Sequence, residues 1–119
     1  MPSPHQETGA SGEDAAEAAL RRSGYKILGR NLRTAFGEID ILAQEDEVLC
    51  FVEVKTRSSA AFGHPAEAVT ASKQAHLKKA AAVLLQQRRW DGPCRFDVVA
   101  VTPGEDGQSV VEILPDAFQ

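Results

Sequence analysis

A chain of 119 residues makes one domain, large enough to bury a real core and too small for two. Hydrophobic content of 43% and charged content of 25% are ordinary globular values, and no apolar run reaches the length of a membrane span. The start of the chain lacks a signal peptide's basic-then-apolar order, and Cys50 and Cys94 give neither a metal-ligand spacing nor a disulfide framework, so the expectation is a soluble cytoplasmic protein.

The formal charge of −4 argues against a polyanionic partner until its distribution is read. Residues 18–37 carry Arg21, Arg22, Lys26, Arg30 and Arg33 with no acid. Residues 54–90 carry Lys55, Arg57, Lys73, Lys78, Lys79, Arg88 and Arg89 against the single acid Glu67. The acids collect at the N-terminus, in Glu45-Asp46-Glu47 and after Asp91. Local basic stretches of this kind permit a nucleic-acid face without demanding one.

In chain order, residues 1–10 are polar with Pro2 and Pro4 and read as a disordered leader. Residues 11–119 form the domain. Ser11 is a candidate N-cap for a helix from about Glu13 to Ser23, stopped by Gly24. Ala16, Ala19 and Leu20 form its docking stripe, which extends back to Glu13. A first-turn carboxylate either answers the helix dipole or aims into a site, and the residue alone favours the dipole. Tyr25 to Leu32 make a first strand with Arg30 and Arg33 near its end.

Gly37 opens a second strand, Glu38 to Ala43, in which alternation sets Ile39, Ile41 and Ala43 on one face and Glu38, Asp40 and Leu42 on the other. Asp40 stands among apolar neighbours. Asp disfavours strands and is costly to bury alone, so a partner such as a cation is expected. Glu45-Asp46-Glu47 turns the chain into the run Val48-Leu49-Cys50-Phe51-Val52-Glu53-Val54-Lys55, an apolar strand suited to cover on both faces. Cys50 within it is a small buried hydrophobe. Glu53 and Lys55, two residues apart, share a face about 6–7 Å apart along the chain. Counted from the turn, Asp40 and Glu53 fall near each other across the hairpin.

A loop with Gly63 and His64-Pro65 leads to a long helix, about Ala71 to Arg88, capped by Thr70, with Leu77, Ala80, Ala81, Leu84 and Leu85 as its apolar stripe. Lys73 continues that stripe back toward the strand end. Trp90-Asp91-Gly92-Pro93 ends the helix, Arg95 to Val101 is a further strand, and Ser109 to Leu114 a last short one. Asp97 reads as a structural ion-pair partner.

A carboxylate beside an ammonium at a strand terminus suits metal-assisted phosphodiester hydrolysis, the acid holding a hard cation and the amine attending water or phosphate. Alone, Glu-x-Lys is a weak motif, more commonly explained by a simple ion pair at a strand end. The pieces Gly12-Glu13, Gly37-Glu38-Ile39-Asp40, Phe51-Val52-Glu53-Val54-Lys55-Thr56-Arg57 and Arg95-Phe96-Asp97-Val98-Val99 closely resemble the YraN family of small, largely uncharacterised bacterial proteins. The likeness runs from about Thr8 to Asp116-Ala117-Phe118. The order helix, three-stranded meander, helix, strand resembles the α/β core of the restriction-endonuclease-like PD-(D/E)XK superfamily, a mixed central sheet flanked by two helices.

The family is in turn similar to archaeal Holliday-junction resolvases, whose helix Glu, strand Asp and Glu-x-Lys pair map onto Glu13, Asp40, Glu53 and Lys55. Ile39 stands where the superfamily has a proline, so the motif is the degenerate form. The resemblance implies a Mg²⁺- or Mn²⁺-dependent endonuclease acting on DNA, branched, flapped or single-stranded, in repair or recombination. Glu13, Asp40, Glu53 and the Val54 carbonyl would bind the metal, and Lys55 would position the attacking water. Arg30, Arg33, Arg57 and Lys73 are the candidate phosphate contacts. Two symmetric cuts in a junction would imply a homodimer. The competing readings are a non-catalytic nucleic-acid-binding module that keeps the fold, and an interaction domain in which Glu53 and Lys55 merely pair.

Overall fold

The apolar run of residues 48–56 lies in the middle of the sheet, covered on both sides as its composition requires. The computed structural model describes residues 4–56, 69–104 and 106–118, with side chains described from Gly12 onward. The elements are α1 (Pro4–Arg22), β1 (Lys26–Thr34), β2 (Gly37–Glu45), β3 (Val48–Thr56), α2 (Ala71–Arg88), β4 (Cys94–Pro103) and β5 (Ser109–Phe118). The strands form one five-stranded mixed sheet in the order β1-β2-β3-β4-β5. Only the β3–β4 pair is parallel, because α2 intervenes and carries the chain back to the starting edge of β3, as a parallel connection needs.

Each face of the sheet packs against one helix. Toward α2, Ile39, Leu42, Leu49, Phe51 and Val98 meet Leu77, Ala80, Ala81 and Leu84. Toward α1, Ile41, Ala43, Cys50, Val52, Val99 and Val101 meet Ala16 and Leu20. Strand β3 contributes to both layers, Leu49 and Phe51 to one and Cys50 and Val52 to the other, which is why its sequence does not alternate polar with apolar.

Helix α2 has the expected limits. The Thr70 hydroxyl accepts the Lys73 N–H at 3.1 Å, and Arg89 in the left-handed region closes the far end (φ 52°), its own N–H and that of Trp90 returning to Gln86 and Leu85. At the end of α1, Gly24 takes φ 93° and the Tyr25 N–H reaches back to the Leu20 carbonyl at 3.0 Å, the bond pattern of a glycine-terminated helix. The beginning of α1 departs from expectation. It starts at Pro4, inside the stretch read as a disordered leader, and passes through Ser11, the expected N-cap. Proline is well placed in a first turn, where its missing N–H costs nothing. Polar composition forecasts exposure; it does not forbid a helical backbone. Strand β5 also runs further than expected, to Phe118, where the Phe96 and Phe118 rings stack with centroids 4.9 Å apart.

A buried polar cluster ties the ends of the sheet together. Asp97 is 0% exposed and accepts from Arg95 Nε (2.9 Å), the Tyr25 hydroxyl (3.2 Å) and the Asp116 N–H (2.9 Å). Arg95 Nη2 also donates to Tyr25 and to Glu45, each at 2.8 Å. Asp97 is thus the structural ion-pair partner its setting implied. Burial, and then the Asp97 charge, push the Tyr25 hydroxyl up to about 12. The Cys50 thiol, likewise desolvated and facing Asp97, is also pushed up to about 12, which makes it an inert core group.

Candidate active site at the fork of strands β2 and β3

The ladder between β2 and β3 runs from Glu45↔Val48 to Ile41↔Val52 and stops there. One step further it would set Asp40 opposite Glu53, the pairing expected from the turn. Two facing carboxylates repel, and the strands part instead. The backbone N–H of Val54 donates to Asp40 Oδ2 at 2.9 Å, so a side chain replaces the carbonyl a continued ladder would supply. The departure shows in the packing. Ile39 and Ile41 belong to opposite cores, where strict alternation had placed them on one face.

Glu53 lies on the α2 side of this fork and is 6% exposed. Its Oε1 faces two ammonium groups, Lys55 Nζ at 3.7 Å and Lys73 Nζ at 3.6 Å. Lys55 is therefore on the face that the pleat predicts. Lys73 comes from the first turn of α2, held there by the Thr70 cap. Glu53 Oε2 is buried and has no hydrogen-bond partner among the described residues. A buried carboxylate oxygen without a donor is costly and is unusual enough in folded proteins to call for a specific explanation. Asp40 feels the same congestion. Its carboxyl is pushed up to about 7, first by burial and then by the Glu53 charge, with Glu13 and Glu38 adding to the rise and the Val54 N–H opposing it.

Helix α1 brings Glu13 to the opposite flank. Gly12 makes this possible, since a β-carbon there would overlap the Thr56 hydroxyl at the end of β3. A glycine inside a helix costs roughly 1 kcal/mol against alanine, and here the cost goes with close approach of the helix to the strand end. Glu13 is near enough to raise Asp40, yet its carboxylate is held by Arg30 Nη2 at 3.3 Å. Arg30 also binds Asp14 at 2.8 Å and Glu17 at 3.5 Å, with Asp14 the main reason its pKa lies above the usual arginine value.

Glu13, Asp40, Glu53 and Lys55 thus lie around one strand fork, but only Asp40 and Glu53 are central to it. Among the described residues no three His, Cys, Asp or Glu side chains are gathered into a metal-holding group, Glu13 being engaged by Arg30. The donor set that is present, a buried carboxylate oxygen with no hydrogen-bond partner among the described residues beside a second carboxylate, is of the hard oxygen type that suits Mg²⁺ or Mn²⁺. Of the candidate phosphate contacts, Arg30 is occupied by three acids and Lys73 joins the Glu53 cluster. Arg33 is 87% exposed with Glu38 at 3.4 Å, and Arg57 lies outside the described residues. Lys73, one helical turn before Leu77 on the buried stripe, reaches the strand end as its position predicts and there faces Glu53, a partner that its place among the candidate phosphate contacts did not name.

These features define a small mixed α/β domain with a carboxylate–lysine cluster where its central strands diverge. The chain belongs to the uncharacterised protein family UPF0102, whose model matches residues 12–101. It is 49% identical to a UPF0102 protein of Symbiobacterium thermophilum, over 92% of this chain and 94% of that one. It is 50% identical to a UPF0102 protein of Caldicellulosiruptor saccharolyticus, over 95% and 98% of the two chains. A third relative, from Rhodococcus opacus, is 46% identical over 92% and 94%. The matched span holds all the acids and lysines of the fork.

Proposed function

We propose that this protein is a metal-dependent nuclease-like hydrolase of DNA phosphodiesters with a restriction-endonuclease-like core, of the PD-(D/E)XK kind and similar to Holliday-junction resolvases. One observation carries the reading: Glu53 Oε2 is buried with no hydrogen-bond partner among the described residues, beside an Asp40 whose carboxyl burial and the Glu53 charge push up to about 7, a pair of acids that a hard cation would stabilise. Asp40 and Glu53 would hold Mg²⁺ or Mn²⁺, with the Val54 carbonyl and Glu13 completing the set. When bound, such an ion lowers the pKa of water and offsets charge on a phosphoryl oxygen.

The protein groups have separable tasks. The Val54 N–H fixes the orientation of Asp40 through Oδ2. Lys55, at 3.7 Å from Glu53, positions the attacking water and stabilises the negative charge that builds on the phosphorus oxygens. Lys73 shares the charge of Glu53. Arg30 holds Glu13 at the flank, and Glu13 would be a ligand to the metal or its waters when released from that pair.

The test is cleavage of four-way junctions, flaps and single strands in Mg²⁺ and in Mn²⁺. Asp40→Ala and Glu53→Ala should abolish cutting with the fold intact. Failure of the native protein to cut any of these in either metal would remove the hydrolytic reading. The ion pair that holds Glu13 to Arg30 favours a second reading, a non-catalytic nucleic-acid-binding module. Gel shifts unchanged by EDTA and by Lys55→Ala would support that one.

A further inference from the structure

We infer that the tip of the β1–β2 hairpin is a stacking platform for an unpaired nucleobase, so that the substrate is single-stranded or locally unpaired nucleic acid. The inference rests on the nucleic-acid reading above and adds a substrate class to it. Phe36 is 46% exposed, and among the described residues it is the one aromatic side chain that is exposed rather than buried or half-buried. Scattered exposed apolar residues are normal; the surroundings of this one are not.

The tip is held firmly. The Thr34 hydroxyl accepts the Phe36 N–H at 3.1 Å and donates to the Gly37 carbonyl at 2.9 Å, and Gly37 takes φ 142°, a backbone shape suited to glycine. A ring on a fixed backbone loses little freedom on binding. Lys79 Nζ stands over the ring, 5.9 Å from its centroid, and Arg33, 3.4 Å from Glu38, extends into solvent from the same hairpin. Helix α2, which supplies Lys79, has no acid in its 18 residues and carries Lys73, Lys78, Lys79 and Arg88. An aromatic face flanked by exposed cations is the arrangement by which proteins bind single strands without reading their sequence: bases stack and phosphates meet the charges.

Position links the platform to the fork. Gly37, next to Phe36, begins the strand that holds Asp40, so Phe36 and Asp40 are about 13 Å apart along an extended chain. Lys73 at the fork and Lys79 beside the ring lie on the same helix. A strand whose base stacks on Phe36 would pass its backbone along the basic helix toward Glu53. A duplex keeps its bases stacked inside and offers the ring nothing, so the platform discriminates between the two.

The experiment is fluorescence anisotropy of the full chain in EDTA with a fluorescein-labelled oligothymidine and, separately, a labelled duplex of the same length. Phe36→Ala should weaken single-strand binding at least about fivefold, the low end of aromatic–base stacking, and change duplex binding less than about twofold. Phe36→Trp should bind the single strand at least as tightly as the native protein. Lys79→Gln should weaken both and lower the slope of log affinity against log salt by about one. Equal single-strand affinity of native, Ala and Trp proteins would overturn the platform while leaving the hydrolytic reading untouched. A Phe36→Ala protein that loses self-association and keeps its oligonucleotide affinity would assign the ring to a second copy of the chain and overturn it equally. If the native protein binds neither probe at low salt, the platform and the nucleic-acid reading fall together.

Discussion

Replacing Asp40 by Asn tests the electrostatics of the fork without removing its geometry. The Asn carbonyl oxygen can still accept the Val54 N–H, but the negative charge opposite Glu53 is gone. In the native protein the Asp40 carboxyl rises from 3.8 to about 7. A folded-state value above the unfolded one means that the fold favours the protonated acid. Its contribution to stability is therefore fully present below pH about 4 and is lost as pH rises through about 7. At ~1.4 kcal/mol per pH decade the rise corresponds to roughly 4 kcal/mol, and the partial exposure of Asp40 brings the expected figure to about 2–3 kcal/mol. Urea unfolding of both proteins from pH 3.5 to 8.5 reads the difference. The two should be about equally stable near pH 4; the Asn variant should then gain across pH 4–7 and hold an advantage of about 2–3 kcal/mol above it. Mn²⁺ added at pH 8 should stabilise the native protein by mass action and the variant less. Parallel stability curves across this range would show that Asp40 and Glu53 do not share a strained, cation-seeking site.

Other consequences are open to measurement. Asp97→Ala strips Arg95, Tyr25 and the Asp116 N–H of a fully buried acceptor, and should cost about 3–5 kcal/mol in chemical denaturation. Gly12→Ala should destabilise by about 1–3 kcal/mol through overlap with the Thr56 hydroxyl; in a Thr56→Ala background the same change should cost nothing or gain up to about 1 kcal/mol of helix propensity, a coupling that a double-mutant cycle isolates. Lys73→Ala should lower stability by about 1–2 kcal/mol at neutral pH by removing one of the two cations that face Glu53 among the described residues, and a Glu53→Gln background should largely remove that loss. Equal losses in both backgrounds would place Lys73 in solvent rather than on Glu53.

Much of the architecture was legible along the chain because its signals are local. The period of Leu77, Ala80, Ala81 and Leu84 with Thr70 before them sets out α2, and the doubly apolar run of β3 announces a strand with cover on both faces. Equal counting from Glu45-Asp46-Glu47 brings Asp40 opposite Glu53. What the chain could not disclose depends on groups brought together from afar. That the β2–β3 ladder breaks at those acids, with the Val54 N–H turning to Asp40, follows from charge repulsion that exists only after pairing. Arg30 looked like a phosphate contact because its partners Glu13, Asp14 and Glu17 stand on a helix that docks beside it only in the folded state. That Gly12 lies against Thr56, whose side chain fills the space a β-carbon would need, is likewise a contact between elements distant in the chain. Residue types and their spacing thus decided which elements form and which acids could meet; the packing of α1 and α2 on opposite faces of the sheet decided which charges they meet with, because desolvation and proximity belong to the assembled fold.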